Sequence, residues 1–376
     1  MTDTAYDRFE LTMNAQVVQT PVAISAMAGI VDADYVLERR ENIGAAFMGG
    51  YSIDSKTLEA ARLMEKAGRK EFIYEDPVEE LSAQVKKLKG SGIVAGINLR
   101  GSEPESFSMI AQAIGDMAIY EIDAHCRQQP MIDAGSGEYL LQKTDHLMDN
   151  IKALKKEGVQ VSVKIRAGIS EDDILLAKKI WAAGADIIHV DVMDYGYSKI
   201  RQIRNACPLL IIANNSIYTF EAMMDMFSHG ADLVSVARRS DVSTLAGLND
   251  GITNYADETG WYNSPKQFCR GGDIRALTFC CPPVKNCPLI PFLKKIGLSH
   301  EEYSRMKQEF VKNTPLKDGP NTCFGSLAWC CKLSSPCMFR NMTLQQMGLS
   351  GPDYMRYKHR LSEKIMERLF NEAQIQ

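Results

Sequence analysis

The chain has 376 residues and no uninterrupted apolar run approaching the ~18 residues a membrane-spanning helix needs, so no membrane span is expected. Its first residues, Met1 to Glu10, are polar and acidic and lack the apolar stretch of a signal peptide. A cytosolic protein is the expectation, in a compartment where disulfides rarely persist. The last third lacks a dense basic run of the kind that marks nucleic-acid tails. Its cysteine groups also lack the short Cys-x₂₋₄-Cys knuckle usual at structural zinc. What remains, 45% hydrophobic and 24% charged residues, is the composition of a soluble globular protein. The length exceeds what one hydrophobic core usually serves, which predicts two domains, residues 1–260 and 261–376.

Ten cysteines in such a chain favour metal ligation or catalysis over crosslinks. Eight of them sort into two groups, because the last third repeats itself. Cys280-Cys281, five residues and Cys287 are followed by Gly297-Leu298-Ser299. Cys330-Cys331, five residues and Cys337 are followed by Gly348-Leu349-Ser350. The paired cysteines repeat at 50 residues and the Gly-Leu-Ser at 51, and each copy has an upstream cysteine, Cys269 or Cys323. Two thiolate quartets suit two metal centres, with [4Fe–4S] clusters preferred and zinc the alternative. Adjacent cysteines in an extended segment point to opposite sides, so each pair could serve two different centres. Each copy continues into a predicted helix. Ser299 and Glu302 have capping-box spacing, and Ser350 precedes Pro352 at a second helix start. Met355, Leu361, Ile365, Met366, Leu369 and Phe370 supply an apolar face on that second helix, which is expected to pack onto the barrel or across a dimer.

The net charge of −4 conceals an asymmetry. Residues 261–376 carry 17 Lys+Arg against 9 Asp+Glu, while residues 1–260 carry 26 against 38. A basic C-terminal part fits an anionic partner such as RNA, or the balancing of cluster charge, or a solvated surface.

In the first 260 residues, short apolar runs alternate with amphipathic helical stretches. Strands are predicted at 21–25, 45–48, 93–98, 118–123, 159–165, 187–191, 209–213 and 233–237, with helices at 56–67, 79–89, 138–156 and 172–183 among others. Strands apolar nearly throughout suit a parallel sheet buried on both faces. Eight such units predict an α/β protein built as a (β/α)₈ TIM barrel, with a doubly wound open sheet as the alternative. The small, duplicated, helix-containing cysteine-rich domain follows it.

Barrel chemistry sits at the C-terminal ends of the strands. There the chain turns polar: Asn98 and Arg100; Asp123, His125 and Cys126; Lys164 and Arg166; His189, Asp191 and Asp194; Asn214, Asn215 and Ser216; Arg238, Arg239 and Ser240. Convergence on one rim predicts a pocket for an anionic or hydrogen-bonding ligand, with the loops after the seventh and eighth strands as a phosphate cradle. Arg127 and His125 flank Cys126 and are expected to lower its pKa; the other reading is a small buried hydrophobe. Cys207, at the opposite end of the barrel, is expected to be structural.

These residues carry a resemblance. Pro21 to Asp32 (PVAISAMAGIVD), Ile97-Asn98-Leu99 with Gly101-Ser102-Glu103-Pro104-Glu105, and Cys126 nine residues before Gly135 resemble the tRNA-dihydrouridine synthases, whose barrel is like that of dihydroorotate dehydrogenase. Val163-Lys164-Ile165-Arg166 and the Gly-Ala-Asp turns at 184 and 230 extend the match to about 220 residues. The resemblance implies FMN bound by Ala26, Met27, Ala28, Asn98, Lys164, Arg166, Asp191, Asn214, Asn215, Arg238 and Arg239. It also implies hydride transfer at a carbon–carbon double bond, with Cys126 as acid or base across the substrate.

Four departures bear on this. Arg127 stands where the family usually has proline, Asp191 where it has histidine, and Asn215 and Arg239 where it has glycines that let backbone approach the phosphate. Arg238 and Arg239 offer side-chain contacts instead. A barrel of this type with a cysteine-rich tail is similar to the family called methanogenesis marker protein nine, which implies a methanogenic archaeon. The leading expectation is an FMN- and iron–sulfur-dependent oxidoreductase served by an electron carrier such as a ferredoxin. The alternatives are tRNA modification of the dihydrouridine synthase type, and a non-catalytic electron-transfer or assembly factor in a larger methanogenesis-related complex.

Overall fold

The computed structural model describes Phe9, residues 11–207 and 209–259, and in the last third residues 293, 297–317, 319, 321–322, 325–329, 338–350 and individual positions between 353 and 368. Two compact units divide the chain: residues 1–227 with 231–251, and residues 228–230 with 252–376.

Eight parallel strands close the first unit into a barrel in simple sequence order. They are β1 (Val22–Ile24), β2 (Ala45–Ser52), β3 (Val94–Arg100), β4 (Ile119–Ala124), β5 (Val161–Arg166), β6 (Ile187–Asp191), β7 (Leu210–Asn214) and β8 (Leu233–Val236). The connecting helices are α1 (Ala33–Leu37), α2 (Ser55–Lys66), α3 (Pro77–Leu88), α4 (Pro104–Ile114), α5 (Gln129–Asp133), α6 (Tyr139–Gln142), α7 (Thr144–Lys156), α8 (Asp173–Ala182), α9 (Tyr197–Ala206), α10 (Phe220–Ser228) and α11 (Val242–Thr259). Each predicted strand is present, and the closed ring replaces the open-sheet alternative. A short antiparallel ribbon, Thr12–Met13 with Gln16–Val17, precedes the barrel. Among the described residues no helix is long and apolar enough to cross a membrane.

Local chemistry explains the helix starts. Asp54 and Thr57 form a reciprocal capping box at α2, and Asp172 caps α8 through the amides of Ile174 and Leu175. Asp76 caps α3, which begins at Pro77 two residues earlier than expected, because proline is preorganised for a first helical turn. The single helix expected over 138–156 is two, α6 and α7. Lys143 leaves the helical region at φ −110°, ψ 68°, after Leu140 and Leu141 have been buried.

Residues alternate across each strand, and the inward set fills the barrel in layers. The lowest layer is apolar: Ala23, Ala45, Phe47, Val94, Ile119, Ile187, Ile212 and Leu233 pack together, nearly all fully buried. Further along the strands, toward their C-terminal ends, inward positions turn polar. The register places Asn98 beside Glu121, Glu121 beside Ser162, and Lys164 beside His189. The barrel thus has an apolar plug below and a polar floor above it.

In the second unit, α12 (His300–Val311) starts at the expected capping box, Ser299 with Glu302. Ser350 Oγ accepts from the Asp353 amide in the same role at the second copy. Leu361 and Ile365, expected on an apolar face there, are buried. A further helix, α13, spans Met338–Gln346. Cys269, Cys280, Cys281, Cys287, Cys323, Cys330, Cys331 and Cys337 lie outside the described residues.

Candidate active site

A cavity of about 510 Å³ opens at the C-terminal ends of the strands, within the usual range for ligand sites. Ser25 to Ala28 after β1, Asn98 and Arg100 of β3, and Asp123 with His125 to Gln128 at the end of β4 line it. Lys164 and Arg166 of β5, Asp191 of β6, Asn214 to Tyr218 after β7 and Arg238 after β8 complete the wall. The residues expected to meet a cofactor line this cavity, except Arg239, which lies outside the lining. Its guanidinium lies over the Tyr218 ring, 4.7 Å from the centroid. His189, Asp194 and Ser240 also fall outside the lining, and Ser240 instead bonds Tyr35 Oη at 2.7 Å.

Beneath the cavity floor runs a buried chain of hydrogen bonds. Asn214 Nδ2 donates to Ser235 Oγ at 2.9 Å, and Ser235 Oγ lies 2.7 Å from His189 Nε2. His189 Nδ1 lies 2.7 Å from Glu121 Oε2. Glu121 also accepts from Asn98 Nδ2 at 2.9 Å and Ser162 Oγ at 3.0 Å. His189, the nearby Lys164 ammonium and the Asn98 amide hold the Glu121 carboxyl below the usual carboxylate range against the cost of burial, while burial holds His189 below the ordinary histidine range. The neutral ring therefore donates from Nδ1 and accepts at Nε2. Glu121 was not singled out in the sequence. Its signal was an acid in the middle of an otherwise apolar strand, two residues before Asp123 and so on the same face.

The arginines of β3 and β5 are held by carboxylates. Arg100 donates from Nε to Asp123 Oδ2 at 3.0 Å and from Nη1 to Glu71 Oε2 at 2.6 Å. Arg166 pairs with Glu138 at 2.7 Å and lies 3.7 Å from Asp191. Asp191, standing where the resemblance expects histidine, meets a histidine from the loop after β4, two strands away around the ring: His125 Nε2 is 2.7 Å from its Oδ2. Glu71 and Glu138 sit on connecting segments whose sequence has no pattern to mark them. Lys164 is 3% exposed, donates to Ser25 Oγ at 2.6 Å and forms no ion pair among the described residues.

Asp123 organises the loop that carries Cys126. Its Oδ1 accepts from the amides of His125 and Cys126 at 3.0 and 3.1 Å. Behind the thiol lie Ala60, Met64, Met131 and Ala134, an apolar wall. Burial pushes the Cys126 thiol up, opposed mainly by Arg100, so the expected lowering by Arg127 and His125 does not occur. The thiol is 7% exposed and lines the cavity, which suits a group that stays protonated at neutral pH. Cys207 is buried at the end of α9, its Sγ 3.6 Å from Ile203 O, as expected of a structural thiol.

After β7, Asn215 and Ser216 adopt φ of +98° and +56°. This is the backbone region that favours glycine, adopted here by an asparagine and a serine.

Fold and site together define a (β/α)₈ barrel with a thiol-bearing polar rim, and residues 69–242 match the dihydrouridine synthase (Dus) family. An uncharacterized protein of Methanocaldococcus jannaschii is 48% identical to this chain over 116 residues, 30% of this chain and 75% of the relative, and the chain belongs to that protein's family. A second uncharacterized protein of the same archaeon is 29% identical over 243 residues, 61% of this chain and 93% of its own length. Among solved structures, DHODH from Eimeria tenella in complex with ferulenol superposes with a TM-score of 0.52 at 14% identity, covering 69% of this chain and 87% of that one. At that identity the likeness is one of fold.

Proposed function

We propose that the barrel is an FMN-dependent oxidoreductase that transfers hydride at a carbon–carbon double bond, with Cys126 as the proton donor. One observation carries the reading: a buried thiol opens onto the same cavity as a lysine that forms no ion pair among the described residues and a positive-φ loop. The residues present fit the cofactor. Lys164 brings a buried ammonium whose polar partner is a hydroxyl, and Asn98 is anchored from below by Glu121. Asn215 and Ser216 keep the backbone form of a phosphate cradle, with Arg238 beside them. Ala26 to Ala28, Asn98, Lys164 and Asn214 would hold the ring, and Asn215 and Arg238 the phosphate. Bound there, the flavin supplies a two-electron hydride.

The protein's own contribution is proton placement. Asp123 fixes the Cys126 loop through two amides, and the apolar wall keeps the thiol protonated until a carbon accepts the proton. Arg166, Asp191 and His125 form a second paired group on the same rim.

The two cysteine quartets, by spacing, are proposed to hold one or two [4Fe–4S] clusters that relay electrons from a carrier such as a ferredoxin. The resemblance to methanogenesis marker protein nine and the archaeal relatives support a role in methanogens. Protein purified without oxygen should show a flavin spectrum and acid-labile sulfide; absence of both would overturn the proposal. The Dus match favours a second reading, a uridine base of tRNA as substrate. Salt-dependent retention of tRNA would support it, and no retention at low salt would remove it.

A further inference from the structure

The unspent charges on the rim identify a substrate class. Two carboxylates line the cavity, Asp123 and Asp191, and each is already matched by an arginine. Arg100 and Arg166 are committed to them and to Glu71 and Glu138. Two guanidinium groups of the lining, Arg127 and Arg238, make no ion pair among the described residues. Arg127 follows Cys126 directly at the end of β4. Arg238 follows β8. In the closed order β8-β1-β2-β3-β4-β5-β6-β7, β4 and β8 are diametrically opposed. The rim therefore has two cationic poles, on opposite sides of the barrel axis. One phosphate cannot satisfy both. If Arg238 and the Asn215–Ser216 loop take the cofactor's phosphate, the pole beside the thiol is left for something else. Arg69 also lines the cavity, with its own carboxylate, Glu71, 3.6 Å away.

We infer that the substrate is a small anion whose carboxylate is bonded to the reacting double bond and is seated by Arg127 beside Cys126. This rests on the flavin reading and names its substrate class. The chemistry balances. A bound reduced flavin would supply the hydride for a C–H bond at the carbon distal to the carboxylate, with the π bond breaking as it forms. The electron pair collects on the proximal carbon and is drawn onto the carboxylate, where the Arg127 guanidinium stabilises it. The proton leaves Cys126 Sγ for that proximal carbon, and the thiolate regains a proton from water. One hydride and one proton turn the alkene into the saturated acid.

The test uses two alkylating agents of nearly equal size, iodoacetate and iodoacetamide, on the full-length protein. In iodoacetate the carbon attacked by sulfur bears the carboxylate directly, the relation proposed for the proximal carbon of the substrate. Labelling rates at Cys126 are followed by mass spectrometry of its peptide, and flavin retention is measured on the same preparation. Failure of the flavin reading and failure of this one are therefore separate results. The expected outcome is faster labelling by the anion than by the amide. Arg127→Gln should reduce that ratio roughly tenfold, the equivalent of one charge-assisted hydrogen bond, and Arg127→Lys should restore part of it. Arg238→Gln should lower flavin retention and leave the ratio unchanged. Equal or faster labelling by iodoacetamide would overturn the inference. So would a ratio insensitive to Arg127→Gln, or a Cys126 that neither reagent reaches.

Discussion

Cys126 has apolar neighbours on one side and the polar cavity on the other. His125 and Arg127 flank it in sequence, yet burial dominates and the thiol is pushed up. An acid with a raised pKa is available throughout the neutral range and is lost as pH rises through that pKa. Turnover with a double-bond substrate should therefore be level near neutrality and fall on the alkaline side, above the ordinary thiol range, in a pH–rate profile. Cys126→Ala should lower kcat by about 10²–10⁴-fold while the flavin spectrum is retained, the size expected for losing a positioned proton donor. Asp123→Ala should act differently. It strips two amides of their acceptor and leaves Arg100 buried without one of its partners, so a loss of about 3–5 kcal/mol in urea unfolding is expected.

The loops after the strands carry the site, and two of them make separable predictions. Gly137 has φ +62°, and a Cβ there would sit 2.3 Å from the carbonyl oxygen of Cys126. Gly137→Ala should displace the cysteine loop, slow labelling of Cys126 and cost about 1–3 kcal/mol. Gly158→Ala is the control. Its φ is also positive, at +74°, but nothing lies within 4 Å, so the backbone penalty should appear without any effect on the thiol. After β7 the reverse substitution is informative. Asn215→Gly relieves a φ of +98° and should raise the midpoint in thermal melts, because glycine escapes the steric cost a side chain meets there. Retained flavin would mean that the backbone serves the phosphate; lost flavin would assign the role to the asparagine side chain.

Across the whole barrel, the buried polar floor makes stability depend on pH. His125 and His189 are held below the ordinary histidine pKa by burial, so the unfolded chain takes up protons that the folded barrel does not. Stability should fall as pH drops through the ordinary histidine range near ~6.5. Glu121, Asp123 and Asp191 are held below the carboxylate range. Their contribution is present above that range and is lost as pH falls through the lower folded values. Urea midpoints measured from about pH 7.5 to 3.5 should therefore decline in two stages, and His189→Gln should flatten the first.

The eight strands, the polar rim and the place of Cys126 on it can be read from the order of residues alone. Those depend on apolar runs, alternation and spacing, which are local properties of a chain. Tertiary structure decided which charges are spent. Glu71 meets Arg100 across 29 residues and Glu121 meets His189 across 68, and no local pattern encodes such meetings because barrel closure and strand register set them. The same closure set Arg127 and Arg238 on opposite sides of the ring and placed Cys126 against an apolar wall. A charge responds to what is near it in space and to how much water it keeps, so the chemistry of the rim was written only when the strands came together.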